Sequence, residues 1–235
     1  METEDLVAAG FPRFRPIAGH ALLVEFGEEI SDAVHAKVMR LDAGLRGMAA
    51  PGYIECVPAY ASVLMAFDPL VTDHREMRRQ VELLLDVTGE EEKTPGIRDV
   101  DVCYDAELAP DLNAVAASAG LKVDEVIEAH LSGDYKVFMY GFAPGYAYLA
   151  GVPESIRQPR KGAAVRGVAA GSVLIAGPQC LVTTLTMPTG WWVIGRSPTR
   201  VLDAGNAERP FLFDVGDKVV FRRISRQAFE AARPL

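Results

Sequence analysis

The chain has no run of apolar residues approaching the ~20 that cross a bilayer, so no membrane span is expected. It lacks a G-x-x-x-x-G-K-[ST] segment, and no G-x-G-x-x-G follows a strand-like stretch. Both signatures place glycine backbone against phosphates, and neither chemistry is announced here. There is no G-x-S-x-G elbow for a hydrolase serine. The glycine- and serine-rich segment of amidase-signature enzymes is missing, as is a lysine flanked by methionines that would carry biotin. His20, His35, His74 and His130 are scattered, and no His or Cys pair has zinc-site spacing, so no metal site is expected. Cysteine is scarce. Cys56, Cys103 and Cys180 are odd in number and far apart, which points to reduced, buried thiols in a cytoplasmic protein. Positive charge is also short: 24 Lys and Arg against 32 Asp and Glu give a net charge of −8. That balance argues against nucleic acid, which is bound by neutralising phosphates. Met1-Glu2-Thr3-Glu4-Asp5 is acidic and no apolar core segment accompanies it, so no signal peptide is expected. Internal repeats and low-complexity tracts are absent.

What remains is a 235-residue chain, 49% hydrophobic, able to bury one large core or two small ones. His20 to Phe26 reads as a strand. Ser31 and Asp32 then start a helix whose Val34, Val38, Leu41 and Leu45 share one face. Tyr53 to Val57 and Ser62 to Phe67 read as strands around Pro58. Asp73 caps a second helix with Glu76 three residues on and Met77, Val81 and Leu84 as its stripe. Residues 1–88 are therefore expected to form a small split β-α-β domain. The polar run Thr88 to Gly96 ends in Pro-Gly, and 89–96 is the expected linker. Beyond it, Val100, Val102 and Tyr104 alternate as a strand, and Leu112–Ala119 and Val123–Leu131 form a helical hairpin closed by Gly120. Short strands follow at Tyr135–Tyr140, Ser172–Ala176, Leu181–Thr186, Trp191–Gly195 and Lys218–Ile224. Many short strands with Gly/Pro turns predict a closed or nearly closed barrel over 97–235, and the fold class is α+β.

Three segments carry the densest signal: Gly141-Phe142-Ala143-Pro144-Gly145-Tyr146-Ala147-Tyr148-Leu149, Ala170-Gly171-Ser172-Val173 through Gln179, and Gly190-Trp191 through Gly195-Arg196. Glycines flank apolar runs there, so the backbone turns tightly beside one surface. Gly141, Phe142, Pro144, Gly145, Tyr146 and Trp191 are candidate substrate-binding residues. Arg160, Arg166 and Arg196 offer rigid forks for a carboxylate or phosphate, and Gln179 offers a donor and an acceptor to an amide. His130 ends the second hairpin helix, where the helix C-terminus favours a protonated imidazole. These five polar residues are the candidate catalytic set. Each has a plainer alternative: barrel corners for the glycines, core packing for the aromatics, ion pairing for the arginines, a turn-stabilising side chain for Gln179 and a core position for His130. Cys180 has no identifiable base and receives no role.

These segments, in this order with Ala21 to Gly27, Val57-Pro58-Ala59-Tyr60, Pro159-Arg160 and Gly216 to Phe221, resemble a family known by three names: the 5-oxoprolinase B subunits, allophanate hydrolase subunit 1, and the Kip-type kinase inhibitors. The likeness spans nearly the whole chain. His130, Arg160 and Arg196 match family positions. Val165-Arg166 stands where relatives have a second Pro-Arg pair, and Thr189 stands where they often have glycine. The resemblance implies a cyclophilin-like barrel. It also implies a subunit of an ATP-dependent complex that opens an amide or lactam, 5-oxo-L-proline above all. Such a complex would use ATP as a whole, with a C-type subunit and an A-type protein as partners. The family's other names leave two alternatives: a carboxyltransferase half-site in a urea-carboxylase or allophanate system, and an inhibitor of a sensor histidine kinase.

Overall fold

The computed structural model describes residues 10–48, 50–86 and 95–232. Residues 1–5 and residues 88–94 of the polar run lie outside the described residues. The chain divides into two compact units, residues 1–93 and 94–235.

In the first unit, β1 (Arg13–Ile17), β2 (Ala21–Glu25), α1 (Asp32–Arg46), β3 (Tyr53–Pro58), β4 (Ser62–Phe67) and α2 (His74–Asp86) follow in order. The antiparallel sheet has the order β1-β2-β4-β3. Because β4 lies between β2 and β3, those two run parallel with α1 as their crossover, which is a split β-α-β unit. Leu22, Val24, Val63, Met65 and Phe67 alternate onto one sheet face and bury against Val38, Leu41, Leu45, Met77 and Val81 of the helices. The helix starts act as their sequences demand: Ser31 Oγ accepts from Val34 N at 3.2 Å, and Asp73 Oδ1 from Glu76 N at 2.9 Å. The strand β1 has no apolar alternation, since four of its five residues are exposed, so no periodic pattern marks it as a strand.

The second unit contains β5 (Ile97–Val102), α3 (Leu112–Ala119), α4 (Val123–Leu131), β6 (Tyr135–Tyr140), β7 (Ala147–Ala150), β8 (Val165–Val168), β9 (Ser172–Ala176), β10 (Gln179–Val182), β11 (Met187–Thr189), β12 (Trp192–Arg196), β13 (Lys218–Arg223) and α5 (Arg226–Ala232). Seven strands form one sheet in the order β12-β9-β10-β7-β6-β13-β5. Its edges meet where Cys103 N donates to Arg196 O at 2.8 Å and Arg196 N to Cys103 O at 2.9 Å, so the sheet is nearly closed. Val102, Val137, Leu149, Val173, Ile175, Cys180, Ile194 and Phe221 fill the interior. The hairpin α3–α4 packs on this core through Val115, Val126 and Ile127, and Gly120 adopts φ +68° to end α3. Only β5 and β13 pair in parallel among these strands. Asp217 ties their starts together, accepting from Gly96 N, Arg98 Nε and Asp214 N at 2.8–2.9 Å.

The outer face of β9 and β10 is buried as well. Leu174, Ala176 and Leu181 lie under Tyr146, Trp191 and Val168, the last from the separate ribbon of β8 and β11. The expected strand Leu181–Thr186 starts and ends earlier, at Gln179–Val182. Just past its end, Thr183 N still donates to Ser172 O at 2.9 Å, and Thr183 Oγ1 donates to Ala169 O at 2.8 Å while accepting from Ser172 N. Among the described residues no helix is long and apolar enough to cross a membrane.

Candidate functional site

Two surfaces on the outside of the barrel carry the candidate residues, and a third set lies inside it. The loop 141–146 joins β6 to β7 and turns on its own backbone: Gly141 N donates to Tyr146 O, Ala143 N to Gly141 O and Tyr146 N to Ala143 O. The amides of Gly141 and Ala143 are thus occupied inside the loop. Gly145 has φ +75°, and a Cβ there would sit 2.9 Å from Thr184 Cγ2 and 3.1 Å from Leu202 Cβ. Thr184 Oγ1 donates to Pro144 O at 2.6 Å, so the loop backs directly onto the segment around Thr184. Phe142 is a bulky residue at φ +69°, a conformation costing roughly 1–3 kcal/mol.

Beside that segment an open groove of about 370 Å³ is lined by Arg196, Ser197, Thr199, Arg200, Thr183 and Thr184, among others. Its corner depends on Gly171, at φ +80°, where a Cβ would lie 2.5 Å from Ser197 O. Gly171 instead exchanges backbone bonds, giving its N–H to Thr183 O and accepting from Ser197 N, both at 2.7 Å. Arg196 Nε donates to Ala170 O at 3.2 Å, which fixes the plane of the guanidinium in the groove wall. Thr199 Oγ1 accepts from Asp101 N, and Arg200 Nη1 lies 3.4 Å from Asp203 Oδ1. The lining has two arginines, four hydroxyl side chains and no carboxylate. In a chain of net charge −8, that is a local concentration of positive charge suited to an anion.

Arg160 and Gln179 lie elsewhere. Gln179 pairs with Ala176 at one end of β9, and Arg196 pairs with Ser172 at the other. Four residues of strand separate them by roughly 13 Å. The Arg160 guanidinium carbon lies 5.5 Å from the Trp191 ring, which stands edge-on to Tyr148 at 5.9 Å. Burial pushes the Tyr148 phenol up, against the pull of the Arg160 charge. Tyr146 and Trp191 are buried packing residues under this face rather than open pocket walls. Arg166 is exposed on β8.

His130 is not at either surface, which corrects the expectation of a catalytic imidazole. It is fully buried on α4, with Nδ1 2.7 Å from Tyr104 Oη and Nε2 3.8 Å from Cys180 Sγ. The rings of Phe221 and Tyr135 lie 4.6 and 5.3 Å away. Burial pushes its pKa down to about 3, so it is neutral at pH 7. The histidine that Cys180 lacked in the sequence is therefore beside it. Burial raises the thiol pKa, however, and both groups are sealed from solvent, so no nucleophile is formed. Thr183, Thr184, Ser197, Thr199 and Arg200 line the groove without having stood out in the sequence. Their one local signal is the hydroxyl-rich Ser197-Pro198-Thr199-Arg200 run directly after Arg196. Among the described residues no group of three or more His, Cys, Asp or Glu is placed to hold a metal ion.

Comparison with known proteins bears on this geometry. The B subunit of 5-oxoprolinase from Bacillus subtilis (strain 168) is 36% identical over 222 residues, 90% of this chain and 92% of that protein. The crystal structure of TTHA0988 matches with a TM-score of 0.77 at 30% identity over 88% of this chain. This chain spans only 40% of that one. The Kluyveromyces lactis urea carboxylase matches with a TM-score of 0.75 over 93% of this chain and 22% of its own, at 17% identity, a likeness of fold alone. The family described as carboxyltransferase domain, subdomain C and D, matches residues 12–213. With barrel, split β-α-β unit and sequence in agreement, the chain belongs to the carboxyltransferase domain, subdomain C and D, family.

Proposed function

We propose that this chain is the B-type component of a cytoplasmic, ATP-dependent 5-oxoprolinase, converting 5-oxo-L-proline to L-glutamate with C-type and A-type partners. The observation that carries the reading is the groove at Arg196: two arginines, four hydroxyls and no acid in an otherwise acidic chain. A lactam acid has one permanent charge, its carboxylate, and one resonance-stabilised carbonyl. Arg196, oriented by Ala170 O, supplies a fork for the carboxylate. The hydroxyl of Ser197, which accepts from Thr199 N, lines the same groove and offers its proton toward the lactam oxygen. The groove suits the anionic end of a small substrate. It offers no stack of backbone amides for a triphosphate, so ATP is held by the assembled complex, where it supplies activation of the lactam carbonyl. Charge development on that carbonyl needs fixed donors, and this chain contributes binding and orientation rather than a nucleophile.

The test is reconstitution. The chain is co-expressed with C-type and A-type homologues and assayed for ATP-coupled release of glutamate from 5-oxoproline. Arg196→Lys keeps the charge and loses the fork. It should lower kcat/KM at least tenfold, corresponding to about 1.5–3 kcal/mol for a charged hydrogen-bonded contact. Its melting temperature should stay near that of the parent protein. Parental kcat/KM in the Lys variant would remove the groove from the site. Biotin-dependent carboxylation of urea by the reconstituted proteins, with 5-oxoproline untouched, would overturn the substrate.

A further inference from the structure

Phe142 stands 74% exposed at the tip of the 141–146 loop, on left-handed backbone. An aromatic strip leads away from it. Its ring lies 5.7 Å from that of Tyr146, which packs in one cluster with Tyr148 and Trp191, and Trp191 carries Arg160 on its face. The Tyr146 hydroxyl is buried and has no hydrogen-bond partner. The side chains of Arg160 and Gln179 are likewise without a hydrogen-bond or ion-pair partner among the described residues, and Arg166 is exposed on the ribbon over the same face. Strain, an unpartnered hydroxyl and an exposed ring occurring together are costs that persist where a site is used.

We infer that this face is the docking surface for the C-type polypeptide, which seats Phe142 in an apolar pocket and sets a carboxylate against Arg160. The identity of the occupant rests on the proposed complex; the surface itself rests on the chemistry above. Phenylalanine, tyrosine, tryptophan and arginine are the residues that anchor protein interfaces. A projecting ring is buried only by a surface larger than itself, whereas small ligands need concavity, and the concavity lies at the groove. Arg160 and Arg166 make the face locally cationic on a chain of net charge −8, so the complementary partner surface is acidic.

The test measures affinity between the full chain and its C-type homologue by calorimetry, with melting curves of each variant. Phe142→Gly removes the ring and relieves the positive φ, so it should melt no lower than the parent while binding at least tenfold more weakly. Arg160→Glu should also weaken binding at least tenfold. Parental binding of the C-type protein with both variants indistinguishable from it would overturn the docking surface and leave the proposed function standing. Variants that bind normally but lose turnover would make the face a small-molecule site and equally overturn it. No complex with the parent chain would sink the proposed function, and this inference with it.

Discussion

The His130 imidazole makes a prediction that the structure quantifies. In an unfolded chain it takes a proton near 6.5; in the folded barrel, burial holds that off until about 3. Between those values the unfolded state binds more protons, so stability is full above 6.5 and falls as the pH drops. Each pH unit in that window costs about 1.4 kcal/mol, so lowering the pH from 8 to 5 should remove about 2 kcal/mol through this residue. For a domain of this size that is a fall in melting temperature of about 4–8 °C. His130→Gln keeps a polar partner for Tyr104 Oη but has nothing to titrate. It is expected to be less stable at pH 8 and to lose much less on going to pH 5. Subtracting its melting temperatures from those of the parent protein, pH by pH, cancels the other histidines. Parallel curves between pH 8 and 5 would refute a buried neutral imidazole, as would a charged His130 ring in NMR spectra at pH 5.

Asp217 predicts a second, lower acid transition. Burial pushes its carboxyl up, but the bonds from Arg98 and the Asp214 and Gly96 amides outweigh that and leave it below the usual carboxylate range. Its stabilisation is therefore present above the ordinary carboxylate pKa and is lost as the pH falls below it. Asp217→Asn turns donors toward donors and should cost roughly 1–3 kcal/mol in urea unfolding at pH 7; an unchanged midpoint would count against the bonded cluster. Gly171→Ala should be worse than Gly120→Ala. Both place Ala at positive φ, which costs about 1–2 kcal/mol, but only at Gly171 does the new methyl meet a carbonyl, Ser197 O at 2.5 Å. Equal losses in thermal melts would deny the tight corner at the groove.

The helices were legible because their signals are local: a capping Ser31 or Asp73, a stripe at Val38, Leu41 and Leu45, a stop at Gly120. The strands β7, β8 and β11 were not legible, since three or four residues cannot display a period. The polar residues 160, 166, 179 and 196 all lie near glycine turns in the sequence, and from there they look like one site. The barrel distributes them over two surfaces, because strand pairing decides neighbours, and the closing pair Cys103 and Arg196 is far apart in sequence.

Arg196 shows how little separates a site from a core. On β12, Trp192 pairs with Ile175 and Val193 with Leu174, but then Gly195, not Ile194, pairs with Val173. Strict alternation from Trp192 through Ile194 would turn Arg196 into the barrel interior, where an unpaired guanidinium is prohibitively costly. The one extra residue of this bulge leaves Ile194 inward and returns Arg196 to the face of Ser172, which is the face of the groove. The bulge in turn requires glycine at 195, because a Cβ there would lie 2.6 Å from Val102 Cγ1 on the strand that closes the barrel. The Gly195-Arg196 pair is thus one physical unit: the glycine admits the close approach of β5, and that approach lets the arginine face outward.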